Sequence, residues 1–266
     1  MNMDNHTTAP RLFVAAALRQ GDDIAASPEQ AHYLGTVLRR ASGDVVRLFN
    51  GADGEWSARL TIARRDRATL TVEHRLRPQE PESGPWLLFA LLKRDATDLV
   101  VRQSVELGSS RVLPVITERT NAARVNQDRL RAIAIEAAEQ SERLTIPVID
   151  PPARLDAVLA TWPPDRRLFA AFERFRTDTA ERRVGGPVGL LIGPEGGFTP
   201  TEREMLRRFA FVTPISLGPY VLRAETAAAA GQALLLGMGW AEYVLPHPPP
   251  NLKRPPESPS TACPIQ

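Results

Sequence analysis

Residues Val188 to Ala230 read VGLLIGPEGGFTPTEREMLRRFAFVTPISLGPYVLRAETAAAA. Val188, Leu190, Leu191 and Ile192 form an apolar run short enough for a strand buried on both faces. Gly193, Pro194, Glu195, Gly196 and Gly197 cannot continue it. Thr199 then offers an N-cap, Pro200 suits the first helical position, and Glu202 can reach back to close a capping box, so a helix starts there. The pattern recurs once: Phe211 to Leu217 is a second strand, Gly218 and Pro219 break it, and alanine-rich helix follows from about Arg223. Two glycine turns at the carboxyl ends of neighbouring parallel strands would frame a crevice of the kind in which open α/β sheets bind ligands. A glycine-proline turn most often does no more than reverse the chain. Here, however, both loops lead into helix starts, whose free N–H groups favour acceptor-rich ligands. Glu195 and Arg223 are charged where a structural turn has no need of charge.

Working outward, the chain has 266 residues, enough for one or two domains at roughly 150 residues each. With 33 basic against 31 acidic residues the net charge is only +2, so any nucleic-acid site has to be a local patch. Lys93 and Lys253 are the only lysines; the remaining basic residues are arginines, whose planar fork suits phosphate. One cysteine, Cys263, gives no disulfide framework and no thiolate metal site. His6, His32, His74 and His247 are scattered without ligand spacing, so no metal is expected. The first ten residues lack the basic-then-apolar order of a signal peptide, and no apolar run is long enough to span a bilayer. A soluble, cytoplasmic protein is expected.

In chain order, Arg11 to Ala15 is a first strand. Ser27, Pro28 and Gln30 supply cap, proline and capping-box partner for a helix running to about Arg40 that buries Ala31, Leu34 and Leu38. Val45 to Asn50, Trp56 to Ala63 and Ala68 to Leu76 have strand composition, which makes residues 1–78 a small β-rich domain with one helix. PQEPESGP, from Pro78 to Pro85, builds no core element, and residues 79–85 are the linker. From Trp86 strands and helices alternate, implying a parallel sheet covered on both faces over residues 86–243. Residues 244–266 are too rich in proline for helix or central strand and read as a disordered tail.

GPEGGFTPTERE followed by SLGPYVLRAETAAA is similar to the signature of the ribosomal RNA small subunit methyltransferase E family. RLFVAA, EQAHYLGTVLRR, DVVRLFNGADGEWSARL, ALLKRDATDLVVRQSVELG, ITERT and AIEAAEQSERLTIP resemble further family blocks, so the likeness extends to about Trp240. It implies an α/β SPOUT fold, a parallel sheet with a deep trefoil knot, preceded by a PUA-like β-barrel that binds RNA, and a homodimer. It implies S-adenosylmethionine as cofactor, held at Phe172, Ile192, Gly193, Gly196, Ile215, Leu217 and Leu222, and methylation of uridine N3 in small-subunit (16S) ribosomal RNA or the 30S particle. Arg11, Arg39 and Arg40 would contact phosphates, although Arg39 and Arg40 could equally complement the carboxyl end of their helix. Uridine N3 carries a proton in the neutral base, so the reaction needs proton removal and stabilisation of charge on the uracil oxygens. Arg223 suits the second task, and Glu195 can accept a proton or orient a partner. A salt bridge between them that merely ties the loops together is the competing reading.

The chain departs from the family's usual residues at Gln103, Glu142, Tyr220 and Ala224, where lysine, glycine, arginine and threonine are common. A SPOUT enzyme acting on another base or a ribose 2′-hydroxyl, or a non-catalytic RNA-binding assembly protein, are the alternatives. Intact GPEGG and LRAET argue against the last. No G-x-G-x-x-G follows a strand, which removes a dinucleotide enzyme.

Overall fold

The computed structural model describes residues 9–64, 66–120, 124–173 and 185–237. The proline-rich tail and Cys263 lie outside the described residues. Strands β1 (Arg11–Phe13), β2 (Asp23–Ala25), β3 (Val45–Phe49), β4 (Glu55–Arg64) and β5 (Arg67–Arg77) form an N-terminal sheet in the order β1-β3-β4-β5-β2. β1 runs parallel to β3, and the other neighbours are antiparallel. Alternation puts Leu60, Leu70 and Val72 on the inner face, where they pack with Leu34 and Ala31. Register shifts between Glu55 and Trp56 and between Ser57 and Ala58 bend the long β4–β5 ribbon. The result is a half-barrel with β1 and β2 as its edges.

The expected capping box between Ser27 and Gln30 is present, and opens α1 (Pro28–His32). The helix does not reach Arg40. It widens into a π turn over Tyr33–Val37 and stops at Leu38, and Arg39 takes a left-handed φ of 54°. Gly35, Thr36 and Val37 are poor helix formers, which accounts for the early stop.

The second sheet contains β6 (Trp86–Ala90), β7 (Arg111–Ile116), β8 (Val148–Ile149), β10 (Arg167–Ala171), β11 (Val188–Ile192) and β12 (Val212–Ile215), in the order β12-β10-β11-β6-β7-β8; β9 (Ala153–Arg154) also pairs with β7. Every pairing is parallel. Side chains on one face, such as Leu87, Phe89 and Leu190, pack under α2 (Arg94–Glu106), α3 (Gln127–Gln140) and α6 (Ala224–Gly237). Those on the other, such as Leu88, Leu168 and Leu191, pack under α4 (Leu155–Ala160) and α5 (Pro200–Arg207). This is the α/β sheet expected, with one correction. β11 and β12, the two strands ending in glycine turns, are not neighbours. β10 lies between them, its Leu168 in register with Gly189 on one side and Val212 on the other. Strands close in sequence need not pair, because a crossover can insert one between them.

The two sheets share a core and a buried ion network. Phe13 and Phe49 of the half-barrel pack edge to face at 5.7 Å inside the cluster that contains α2, α3 and α6. Arg11, expected as a phosphate contact, is a structural residue with 6 % of its surface exposed. Its Nε donates to Glu55 Oε1 at 2.5 Å, and its terminal nitrogens donate to the carbonyls of Ala138, Glu139 and Arg143 at 2.7, 2.9 and 2.8 Å. These include carbonyls at the end of α3, which have no partner within the helix and favour a cation. Buried at the seam with four N–H groups spent on these bonds, Arg11 is not placed to contact phosphate, which corrects the expected RNA role.

Arg77 bonds the other Glu55 oxygen at 2.8 Å, and Arg47 pairs with Glu142 at 2.9 Å. Glu142, where the resemblance leads to a glycine, takes a left-handed φ of 60°, a conformation glycine adopts without strain. A side chain there costs roughly 1–2 kcal/mol, and the bonds from Arg47 and, through its carbonyl, from Arg77 offset that cost. The linker is pinned as well: Glu82 accepts from Arg143 at 2.9 Å and from the Leu144 N–H at 3.0 Å.

Candidate active site

The segments that follow β10, β11 and β12 meet at the carboxyl edge of the sheet. Phe172 N–H donates to Ile215 O at 3.0 Å, which fastens the end of β10 to the end of β12. Between them opens a cleft of about 620 Å³, counting the part open to solvent, within the range of small-molecule sites. Phe172, Ile192, Gly193, Leu217 and Leu222 line it as expected. Gly196 and Ile215 do not: Ile215 packs into the core beneath, and Gly196 turns towards Arg119.

Glycine is required at position 193 by close approach, since a Cβ there would lie 2.9 Å from the ring of Phe198. That ring is buried and meets Phe172 edge to face at 5.8 Å. The loop then turns through Gly197, at a φ of +67°, with its N–H bonded to Pro194 O at 2.8 Å.

The loop is held from outside by the segment after β7. Arg119 donates to Gly196 O at 2.6 Å. Glu202 closes the expected capping box with Thr199, and its second oxygen accepts the Glu118 N–H at 2.8 Å. One buried carboxylate therefore starts α5 and ties it to the β7 segment.

Glu195 lines the mouth of the cleft and is exposed. Arg223 is exposed in the last loop between Leu222 and Ala224, both of which line the cleft, although it does not itself line it. Its carbonyl accepts the Ala227 N–H at 2.8 Å and so begins α6. Among the described residues no ion pair joins Glu195 to Arg223, which removes the loop-tying reading.

The lining also includes Glu173, Arg203 and Tyr220, which sequence reasoning missed. Arg203 was within reach of it. One turn beyond the Thr199 cap, it falls on the face that looks back at the loop, and its Nε is buried without a hydrogen-bond partner. Tyr220, one of the departures from the family, is 83 % exposed at the cleft mouth, and Ala224 is buried in its wall.

On the half-barrel, Arg39 is exposed and Arg40 half-buried. Among the described residues no helix is long and apolar enough to cross a membrane.

The sequence and the fold both have relatives. An RNA methyltransferase domain family matches residues 80–236, and an RNA methyltransferase PUA domain family matches residues 27–73. The chain is 34 % identical over 235 residues to the ribosomal RNA small subunit methyltransferase E of Rickettsia conorii, covering 85 % of this chain and 96 % of that one. It is 30 % identical over 227 residues to the protein of the same name in Synechocystis, covering 82 % and 74 %. Among solved structures, a ribosomal RNA small subunit methyltransferase E from Neisseria gonorrhoeae bound to S-adenosyl methionine superposes with a TM-score of 0.79 at 28 % identity, over 87 % of this chain and 98 % of that one. A putative methyltransferase from Legionella pneumophila in complex with the same cofactor gives 0.78 at 28 % identity over the same shares, 87 % and 98 %.

Proposed function

Because the chain belongs to the ribosomal RNA small subunit methyltransferase E family, we propose that it transfers the methyl group of S-adenosylmethionine to N3 of a uridine in small-subunit ribosomal RNA. The observation that carries this reading is the convergence of the β10, β11 and β12 loops on one cleft with apolar walls, a glycine floor and a charged rim. The residues fit the cofactor. Phe172, Ile192, Leu217 and Leu222 offer flat apolar surface to an adenine, and loop N–H and C=O groups can read its edge. Arg203, with an unpartnered buried Nε, offers donors to the carboxylate of the amino-acid end. Bound S-adenosylmethionine supplies an electrophilic methyl group on a positively charged sulfur.

The chain's own residues have to hold donor and acceptor close and in line, the main requirement of such a displacement. Loss of the N3 proton leaves negative charge on the uracil oxygens, and Arg223 stabilises it. Glu195, a carboxylate without an ion-pair partner among the described residues, accepts the proton or orients the group that does. The uridine has to stand outside any base pair, since pairing occupies N3.

In this reading residues 1–78 add RNA affinity through Arg39 and Arg40, residues 86–243 carry the chemistry around the family's trefoil knot, and the enzyme works in the cytoplasm as a homodimer. Exposed Val221 and Leu234, on the cleft loop and α6, supply apolar surface for a second copy. The test is nucleoside mass spectrometry of small-subunit RNA from a strain lacking the protein. Loss of 3-methyluridine is expected; an unchanged level would overturn the assignment.

A further inference from the structure

We propose that the hollow where α2 and α3 begin is a phosphate site that grips the RNA backbone beside the cofactor cleft. The inference rests on the proposed RNA substrate. The hollow encloses about 730 Å³ of space open to solvent and is lined by Arg94, Arg124 and Arg129 together with Asp98, over a floor that includes Leu92 and Leu130. Asp98 is 9 % exposed and is engaged by Arg129 in an ion pair. Arg94 and Arg124 are exposed, and among the described residues neither side chain has a hydrogen bond or ion pair. Three arginines line the hollow against one aspartate, Asp98, which Arg129 pairs with directly and Arg94 acts on at longer range, so the lining as a whole is net positive. Asp95 and Asp128 occupy the first turns of the two helices but do not line it. α2 also begins here without a side-chain cap, which adds potential of the same sign.

Position ties the hollow to the reaction. β6 pairs with β11, so Leu92, just past the end of β6, and Gly193, just past the end of β11, open on the same edge of the sheet. α2 and α6 pack in the same core, and α6 forms one wall of the cleft. A strand that delivers a base to the cleft has its backbone running along this edge. Guanidinium groups suit phosphate oxygens because they present paired donors and keep their charge.

The experiment uses the full chain carrying Arg94→Gln and Arg124→Gln together. These side chains are exposed and unbonded, so the fold is retained. Binding of a small-subunit RNA fragment is followed by fluorescence anisotropy over a series of NaCl concentrations, with S-adenosylmethionine affinity measured alongside by calorimetry. RNA affinity should fall about tenfold, and the slope of log affinity against log salt should become shallower by about one to two. Cofactor affinity should not change, and Arg94→Lys with Arg124→Lys should retain most of the RNA affinity. Wild-type RNA affinity and slope in the glutamine variant would overturn the hollow's role while leaving the methylation reading intact. Inorganic phosphate that binds the wild type without weakening RNA would also overturn it, in favour of a small-anion site. A wild type with no salt-dependent affinity for small-subunit RNA would overturn both.

Discussion

The seam between the two sheets and the rim of the cofactor cleft are both rich in charge, and they use it in opposite ways. At the seam Arg11, Glu55, Arg77, Arg47, Glu142, Arg143 and Glu82 answer one another, and Arg11 and Glu55 are almost wholly removed from water. A buried charge that loses its partner is costly, so such a network holds one geometry. At and beside the rim Glu195 and Arg223 are exposed, and among the described residues neither has an ion-pair partner. The comparison teaches that an arginine's job is set by the acids and carbonyls brought to it. Arg11 meets the end of α3 and becomes a bolt, whereas Arg223 meets solvent beside a cleft, as the substrate role proposed for it requires.

The sharpest way to break this contrast is Arg11→Ala. It strands Glu55 and frees three backbone carbonyls, so denaturant unfolding should show a loss of about 3–5 kcal/mol. Arg39→Ala, at an exposed site, should stay within about 0.5 kcal/mol. If Arg11→Ala left stability intact and only weakened RNA binding, the seam would be the wrong reading of that residue.

A smaller effect is expected at Arg119, which acts on the cleft from outside. Arg119→Ala should weaken S-adenosylmethionine by about fivefold, roughly the 1 kcal/mol of one hydrogen bond, seen by calorimetry as a higher Kd with an unchanged melting temperature. Unaltered affinity would mean that the Gly193–Gly197 loop keeps its shape without the brace.

The smallest expected effect is a pH dependence at the seam. Burial raises the Glu55 pKa, but the hydrogen bonds from Arg11 and Arg77 outweigh it and hold the carboxyl below its ordinary 4.5. Its stabilisation is therefore present above pH 4.5 and lost as pH falls through the lowered value. Glu139 goes the other way. Burial raises its pKa above 4.5 despite the bond from the Phe13 N–H, so its contribution is full below 4.5 and declines as pH rises through the raised value. Glu139→Gln keeps an acceptor for Phe13 and should flatten the fall in melting temperature above pH 4.5. A profile identical to wild type would remove Glu139 from the account.

What could be read in advance was local. The capping boxes at Ser27 and Thr199 are complete within four residues, and both formed as expected. The apolar walls of the cleft follow from strand runs that end in glycine. The role of Arg11 was out of reach because its carbonyl partners come from a helix end 127 or more residues later. The place of β10 was hidden for a similar reason, since pairing order is decided by crossovers and not by runs of residues. The early stop of α1 was legible in Gly35, Thr36 and Val37, but the strong start signal outweighed them. Glu142 carried a signal only through the resemblance, which leads to a glycine there, the residue that suits a left-handed position just past a helix end.

The proposed action of Arg223 and Glu195 on the substrate is tested most directly by single-turnover methylation of small-subunit particles with Arg223→Ala, Glu195→Ala and the double variant. Removing a stabiliser of transition-state charge should lower the Arg223→Ala rate by about a hundredfold or more, leaving cofactor affinity and melting temperature near wild type. Lysine at 223 should restore part of the rate if charge alone matters. Near-normal turnover in a well-folded Arg223→Ala protein would contradict the account.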